Sequence, residues 1–480
     1  MTFRVHIALE RRRILLTILA VSLIVIVGAY PLTLLTLFNN PAADATSTAP
    51  SLSPTTQQES QQNPMSTAQK RQVTLVAVVD DQGDPPRLID WLFRPAMEEL
   101  RNRHPDLNIT LDYRPIPYLN LHQEFSNAMA NQSGVDIMTV DHVWLGEFVE
   151  NGFLTDLTDR VESWGRQDEW YPANWAGGIY NDRVYGIWTV TDVRGMWYWK
   201  DLLMQANVDP NSLRTWDGYI SSAKKLNSVL QAQGVQGVHL VGAGHSQDIW
   251  YPYLWMQGGE IIRQKEGHPT KGIYWFPAFN STEGVRALSF IKEQIDAGAE
   301  PQKEHFWGKE FLDRKFAVML EALQNHVHLN TTEQKQAFEQ QVGFLPMFPV
   351  PNSNSTSSTL LGGWLLSVPQ TSTNKDLAWE LITIIEEPEI MAPFHAKYGL
   401  LPTQIPIGNG PYAADLTNTI PYYDELISML SIARARPNIP EYPQISEHIL
   451  EAINQVYNGT KQPEEALDEA AAKSAEVLGW

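Results

Sequence analysis

Four carboxylates stand where apolar, β-branched runs stop or break. Asp80 and Asp81 end QVTLVAVVDD, Asp141 follows VDIMTV, and Asp192 interrupts VYGIWTVTDVRGMWYWK. Carboxylates accept hydrogen bonds from hydroxyl and amine donors, and one set in an apolar run is costly unless something pairs it. Arg194 is the nearest partner in sequence for Asp192. Large rings accompany these acids. Trp364 follows the pair Gly362-Gly363, and SQDIWYPYLWMQGG holds Trp250, Tyr251, Tyr253 and Trp255. An indole offers a flat apolar face and one N–H donor, so it serves cores and binding surfaces alike. Acids in a cleft could also flank a scissile glycosidic bond. The HVH stretch at His326–His328 is too short for a metal signature. No H-E-x-x-H, G-x-S-x-G or G-x-x-x-x-G-K-[ST] motif occurs, so neither a metal nor a cofactor is expected.

The elements that must position these groups alternate. QVTLVAVVDD reads as a buried strand, LIDWLFRPAMEELRNRHPD as a helix that stops near Pro105, and NITLDYRPI as a second strand. A helix over LNLHQEFSNAMANQSG and a third strand, VDIMTV, complete a β-α-β-α-β order, which points to a parallel sheet flanked by helices. The middle third repeats the alternation. VYGIWTVTDVRGMWYWK is extended, WDGYISSAKKLNSVLQAQG is a helix capped by Thr215, GVHLVGAG is a strand, and TEGVRALSFIKEQIDAG is a helix stopped by glycine. The last third is rich in helices. Two α/β lobes joined by extended crossing segments follow from this order. Ligands of open α/β sheets bind beyond the carboxyl ends of the strands, so Asp80, Asp81 and Asp141 are candidates for the rim of a cleft.

Composition narrows the function. The chain has 480 residues, is 43% hydrophobic and carries a net charge of −20, which argues against nucleic acid as a partner. It has no cysteine, which removes disulfides, thiolate metal sites, thiol catalysis and a lipid-modified cysteine. Near the N-terminus Arg11, Arg12 and Arg13 precede Ile14–Phe38, a stretch without a charge. About 20 apolar residues cross a bilayer, and arginines before them keep the N-terminus cytoplasmic. Residues 1–38 are therefore expected to be a cytoplasmic tip and a transmembrane anchor, or a signal peptide cleaved near Ala45. Residues 39–71, rich in Ser, Thr, Pro and Gln, are expected to be a flexible linker.

Seven stretches, in order, carry a resemblance. GVDIMTVDHVWLGEFVENGFLTDL is similar to a Pro-Asp-Ile strand followed by G-x-L-x-x-L. VYGIWTVTDVRGMWYWKDLL resembles a crossing segment ending Y-N-K-D-L. TWDGYISSAKKL, MQGGEII, GGWLLSVPQTSTNKDLAWELI, LLPT and ARPNIPEYPQISEHILEAINQVYNG followed by PEEALDEAA complete the series. Together they resemble the sugar-type, maltose-binding-like extracellular solute-binding proteins, the substrate-binding components of ABC transporters, over residues 72 to 479. Two departures stand out. DRKFAVMLEALQN lacks the glycine and tryptophan of the corresponding family motif, and the lipid-anchoring cysteine is missing.

The resemblance implies a two-lobed periplasmic-binding-protein fold of type II, each lobe a mainly parallel sheet flanked by helices. It implies an N-terminal lobe of 72–191 plus 363–415 and a C-terminal lobe of 192–362 plus 416–480, with the ligand between them. A sugar or oligosaccharide would be captured, the lobes would close, and a permease would receive the ligand from a monomeric receptor. No chemistry on the ligand is implied. The implied ligand contacts are Trp364 and Gly363 at the GGW bend, Asp192, Asp141, Trp144, Trp250, Arg436, Glu321 and Asp81; His142 is a lesser candidate. Localisation would be periplasmic or extracytoplasmic, on the outer face of the cytoplasmic membrane. A membrane-tethered polysaccharide-acting enzyme and a receptor for a phosphorylated polyol are the alternatives.

Overall fold

The computed structural model describes residues 70–81, 88–240, 245–300 and 308–480. The expected anchor and almost all of the linker lie outside the described residues. Among the described residues no helix is long and apolar enough to cross a membrane.

Two sheets organise the chain. The first runs in the order Leu401–Pro402, Ile187–Val193, Thr359–Ser367, Ile137–Asp141, Arg71–Val79 and Leu107–Pro115, with Ala433–Arg434 joining Thr359–Ser367. The second runs Val342–Leu345, Gly195–Trp199, Phe316–Glu321 and Gln236–Val238. The β-α-β-α-β start is as the sequence implies, since Arg71–Val79 pairs in parallel with both Leu107–Pro115 and Ile137–Asp141. Thr215 caps its helix by accepting from the Gly218 amide at 3.4 Å.

Neither sheet is mainly parallel, which corrects the expected architecture. Thr359–Ser367 is antiparallel to both Ile137–Asp141 and Ile187–Val193. Gly195–Trp199 is antiparallel to both Phe316–Glu321 and Val342–Leu345. The cause is the crossing itself. The chain passes from one sheet to the other at Arg194 and returns after Leu345. A strand that enters a lobe from the cleft runs against the strands that end there. The βαβ pattern in the sequence reveals only the strands that end at the cleft.

Many tryptophans serve this framework. Trp188 and Trp197 are fully buried, and their indole N–H groups donate to the carbonyls of Val190 (2.7 Å) and Glu321 (3.0 Å). Trp170 donates to the Trp188 carbonyl at 2.8 Å. Buried indoles with satisfied donors add large apolar area without an unpaired polar atom. Asp136, in the segment resembling Pro-Asp-Ile, is buried and accepts from the Val76 amide (2.9 Å) and Ser372 Oγ (2.6 Å), pinning two segments of the first lobe.

Candidate functional site

The site begins with register. In the first sheet Trp364 lies opposite Asp141 on one side and Val190 on the other, and Gly362 lies opposite Asp192. A Cβ on Gly362 would come 2.6 Å from Asp192 Oδ1. Gly363 has φ +136°, and a Cβ there would lie 2.1 Å from the Val190 carbonyl oxygen. Both positions therefore require glycine, one to make room for a carboxylate and the other for the backbone path. The pairing slips between Trp364 and Leu365, and bulges of this kind re-aim side chains. Trp364 is left half-buried, on the wall of a cavity.

Tyr118 joins it. This residue opens the helix Tyr118–Ala130 directly after Pro117. Its ring meets Trp364 edge-on at 5.4 Å and stacks on Trp144 at 5.6 Å. Its hydroxyl donates to Asp141 Oδ2 at 3.3 Å. His245 lies 5.9 Å from the same ring and also lines the cavity.

Beside the rings lies a buried ionic cluster. Arg436 bridges two acids, with Nη2 3.4 Å from Asp141 Oδ1 and Nη1 3.3 Å from Asp248 Oδ1. Arg194 reaches Glu321 at 3.2 Å, Asp248 at 3.4 Å and Asp192 at 3.7 Å. Burial alone would raise the Asp141 and Asp248 carboxyls. Arg436, aided by His142 and His245 respectively, outweighs it and holds both below the usual carboxylate range. Asp192 goes the other way, because burial raises it by more than Arg194 lowers it. Both guanidinium groups are held above their ordinary value by these acids, against the opposing effect of burial.

The cavity these groups line has a volume of about 520 Å³. Strand residues of the first sheet face His245 and Asp248, at the start of the helix Ser246–Trp255 that follows the second sheet's Gln236–Val238, and Lys309 and Asn325, which flank Phe316–Glu321. Leu88, Leu92, Phe394 and Leu400 give it an apolar end. A larger depression of about 820 Å³, bounded by Arg71, Arg160 and Lys375, contains none of the candidate residues.

Comparison with known proteins decides the family. Residues 87–392, more than half of the chain, match the model for bacterial extracellular solute-binding proteins. The chain belongs to this family. A binding protein of Brucella abortus is 25% identical over 400 residues, 80% of this chain and 90% of its own length. The arabinooligosaccharide-binding protein of Bacillus subtilis is 28% identical over 145 residues, 30% of this chain and 33% of its own. An ABC-transporter solute-binding protein of Thermotoga lettingae, solved with α-D-tagatose, superposes with a TM-score of 0.70 at 22% identity, over 85% of this chain and all of its own. The two-lobed fold is therefore that of solute-binding proteins, a family of receptors and not of enzymes.

In this solute-binding protein the cavity gathers six of the nine residues expected from the sequence: Asp81, Asp141, Asp192, Gly363, Trp364 and Arg436. Asp81 accepts from the Tyr113 hydroxyl and from the Leu88 amide at 3.0 Å. Three expected residues do not line it. Trp144 lies behind Tyr118, and Glu321 lies beneath Arg194, 3% exposed. Trp250 is fully buried, which corrects the expectation that it faces the ligand. Two residues earlier, in the first turn of the same helix, Asp248 is the group that reaches the cavity. Side chains two apart on a helix point to nearly opposite sides, so one excludes the other. His142 is also buried, stacked on Trp188 at 4.9 Å. The sequence reading passed over Tyr118, Asp248 and His245. The signal for Tyr118 was its place at a helix start directly after a strand. For Asp248 it was an acid within a run of rings.

Proposed function

We propose that this chain is an extracytoplasmic receptor that binds a sugar or oligosaccharide between its lobes and delivers it to an ABC transporter permease. The observation that carries this is the meeting of two rings, Tyr118 and Trp364, with Asp141, Asp192 and Arg194 in one cavity between the sheets. Sugars offer C–H faces to rings and hydroxyls to charged acceptors and donors, whose hydrogen bonds are about twice as strong as neutral ones. The sugars named for the Bacillus and Thermotoga relatives support the same ligand class.

Trp364 would stack on the sugar, Asp141 and Asp192 would accept from hydroxyls, and Arg194 would donate to them. The lobes would divide as 72–191 with 363–415 and 192–362 with 416–480, and residues 14–38 would hold the receptor to the membrane. Closure requires contacts made by both lobes, because only differential affinity shifts a population. The test is calorimetric titration of the full-length protein in detergent with a panel of mono- and oligosaccharides. At least one should bind, and Trp364→Ala should weaken it at least tenfold with little change in melting temperature, since the ring is only half-buried. Failure of every saccharide would overturn the proposal, and an unchanged affinity in the variant would remove Trp364 from the site.

A further inference from the structure

The charge balance of the cavity goes further than a hydroxyl-rich ligand. Five carboxylates line it against three basic side chains, Arg194, Lys309 and Arg436, with two histidines beside them. Both arginines are committed. Arg436 is shared between Asp141 and Asp248, and Arg194 between Glu321 and Asp248. An anionic ligand would have to compete with buried carboxylates for its counter-charge, while an excess of buried negative charge favours a cation. Asp192 is where that excess is least compensated. Its Oδ1 has no hydrogen-bond partner among the described residues, and its nearest cation, Arg194 Nη1, stands 3.7 Å away. Four further atoms on the cavity wall lack hydrogen-bond partners among the described residues, Arg194 Nη1, Thr139 Oγ1, Asn325 Oδ1 and Arg436 Nε, and of these the Arg194 and Thr139 side chains are at least nine-tenths buried. Buried polar atoms are generally completed by a protein partner, a water or a bound group, and a cluster of them on a cavity wall offers contacts to a ligand.

We propose that the cleft selects a saccharide bearing a free amino group, with the ammonium against Asp192 and neighbouring hydroxyls accepting from Arg194 and meeting Thr139. The inference rests on the sugar-receptor reading and names its ligand class. A neutral sugar would leave the surplus charge uncompensated, and a phosphorylated one would add to it. Burial already raises the Asp192 carboxyl, and a positive charge at Oδ1, an ammonium, would lower it again.

The test uses the full-length protein with glucosamine, galactosamine and the glucosamine disaccharide, each beside its hydroxyl and N-acetyl counterparts, and with glucose 6-phosphate. An amino sugar should bind at least tenfold more tightly than its hydroxyl counterpart. N-acetylation, which removes the charge but keeps an N–H, should abolish that advantage, and glucose 6-phosphate should bind most weakly. Asp192→Asn should erase the advantage of the amino sugar over its hydroxyl counterpart, whatever it does to the affinity for either one. Equal or tighter binding of the neutral sugars overturns this inference and leaves the sugar-receptor reading standing. Failure of every saccharide, neutral or aminated, overturns both. The N-acetyl comparison needs no variant, so the inference stays testable even if Asp192→Asn misfolds.

Discussion

At the scale of single residues, two glycines and an acid decide the site. Gly363 holds φ +136° with the Val190 carbonyl where a Cβ would go. Gly363→Ala should therefore cost about 2–4 kcal/mol, read as a lower urea midpoint with an unchanged slope. A loss below about 0.5 kcal/mol would mean that the strand relaxes freely around the new methyl group. The GGW bend was legible because glycine beside a large ring is conspicuous in any sequence. Which of Asp248 and Trp250 faces the cavity was not, since the choice depends on how the helix is rotated against its neighbours. Composition favours the ring, and packing gives the place to the acid.

At the scale of elements, the strand ending at Asp141 and the helix carrying Asp248 are tied by one guanidinium. Removing it leaves two buried carboxylates without their main counter-charge. Arg436→Met should destabilise by about 3–5 kcal/mol, because breaking a buried ion network costs more than the network contributes. Denaturant unfolding measures this, and a near-neutral result would show that water enters the cluster and compensates the acids. The strands and helices themselves were readable from β-branched runs, from helical spacing and from caps such as Thr215. Strand direction was not. Thr359–Ser367 looks like any other strand in sequence, and only its entry from the opposite lobe makes it antiparallel.

At the scale of the whole molecule, two buried titratable groups in the first lobe set the pH range of stability. Burial pushes the Glu386 carboxyl from 4.5 up to about 8, despite hydrogen bonds from Thr189 (2.7 Å) and Gln404 (2.9 Å). Its contribution is present below pH 4.5 and is lost as pH rises through about 8. Burial pushes His395 from 6.5 down to about 3, so its contribution is present above pH 6.5 and is lost as pH falls toward 3. Stability should decline on both sides of a plateau. Glu386→Gln should be more stable than the parent by roughly 1–3 kcal/mol at pH 9, with the difference closing toward pH 5. Thermal melts across pH check this, and parallel curves for parent and variant would show that Glu386 titrates over the same pH range in the folded and unfolded states.

The sequence by itself determined the order of the elements, the family pattern and a set of acids at strand ends, because periodicity, caps and glycine placement act over a few residues. The tertiary structure decided which of those acids share a cavity, that Tyr118 and Asp248 belong with them, and that both arginines are already engaged. Those facts depend on register and helix rotation between segments far apart in the chain, and burial and Coulomb interactions become defined only once those segments meet.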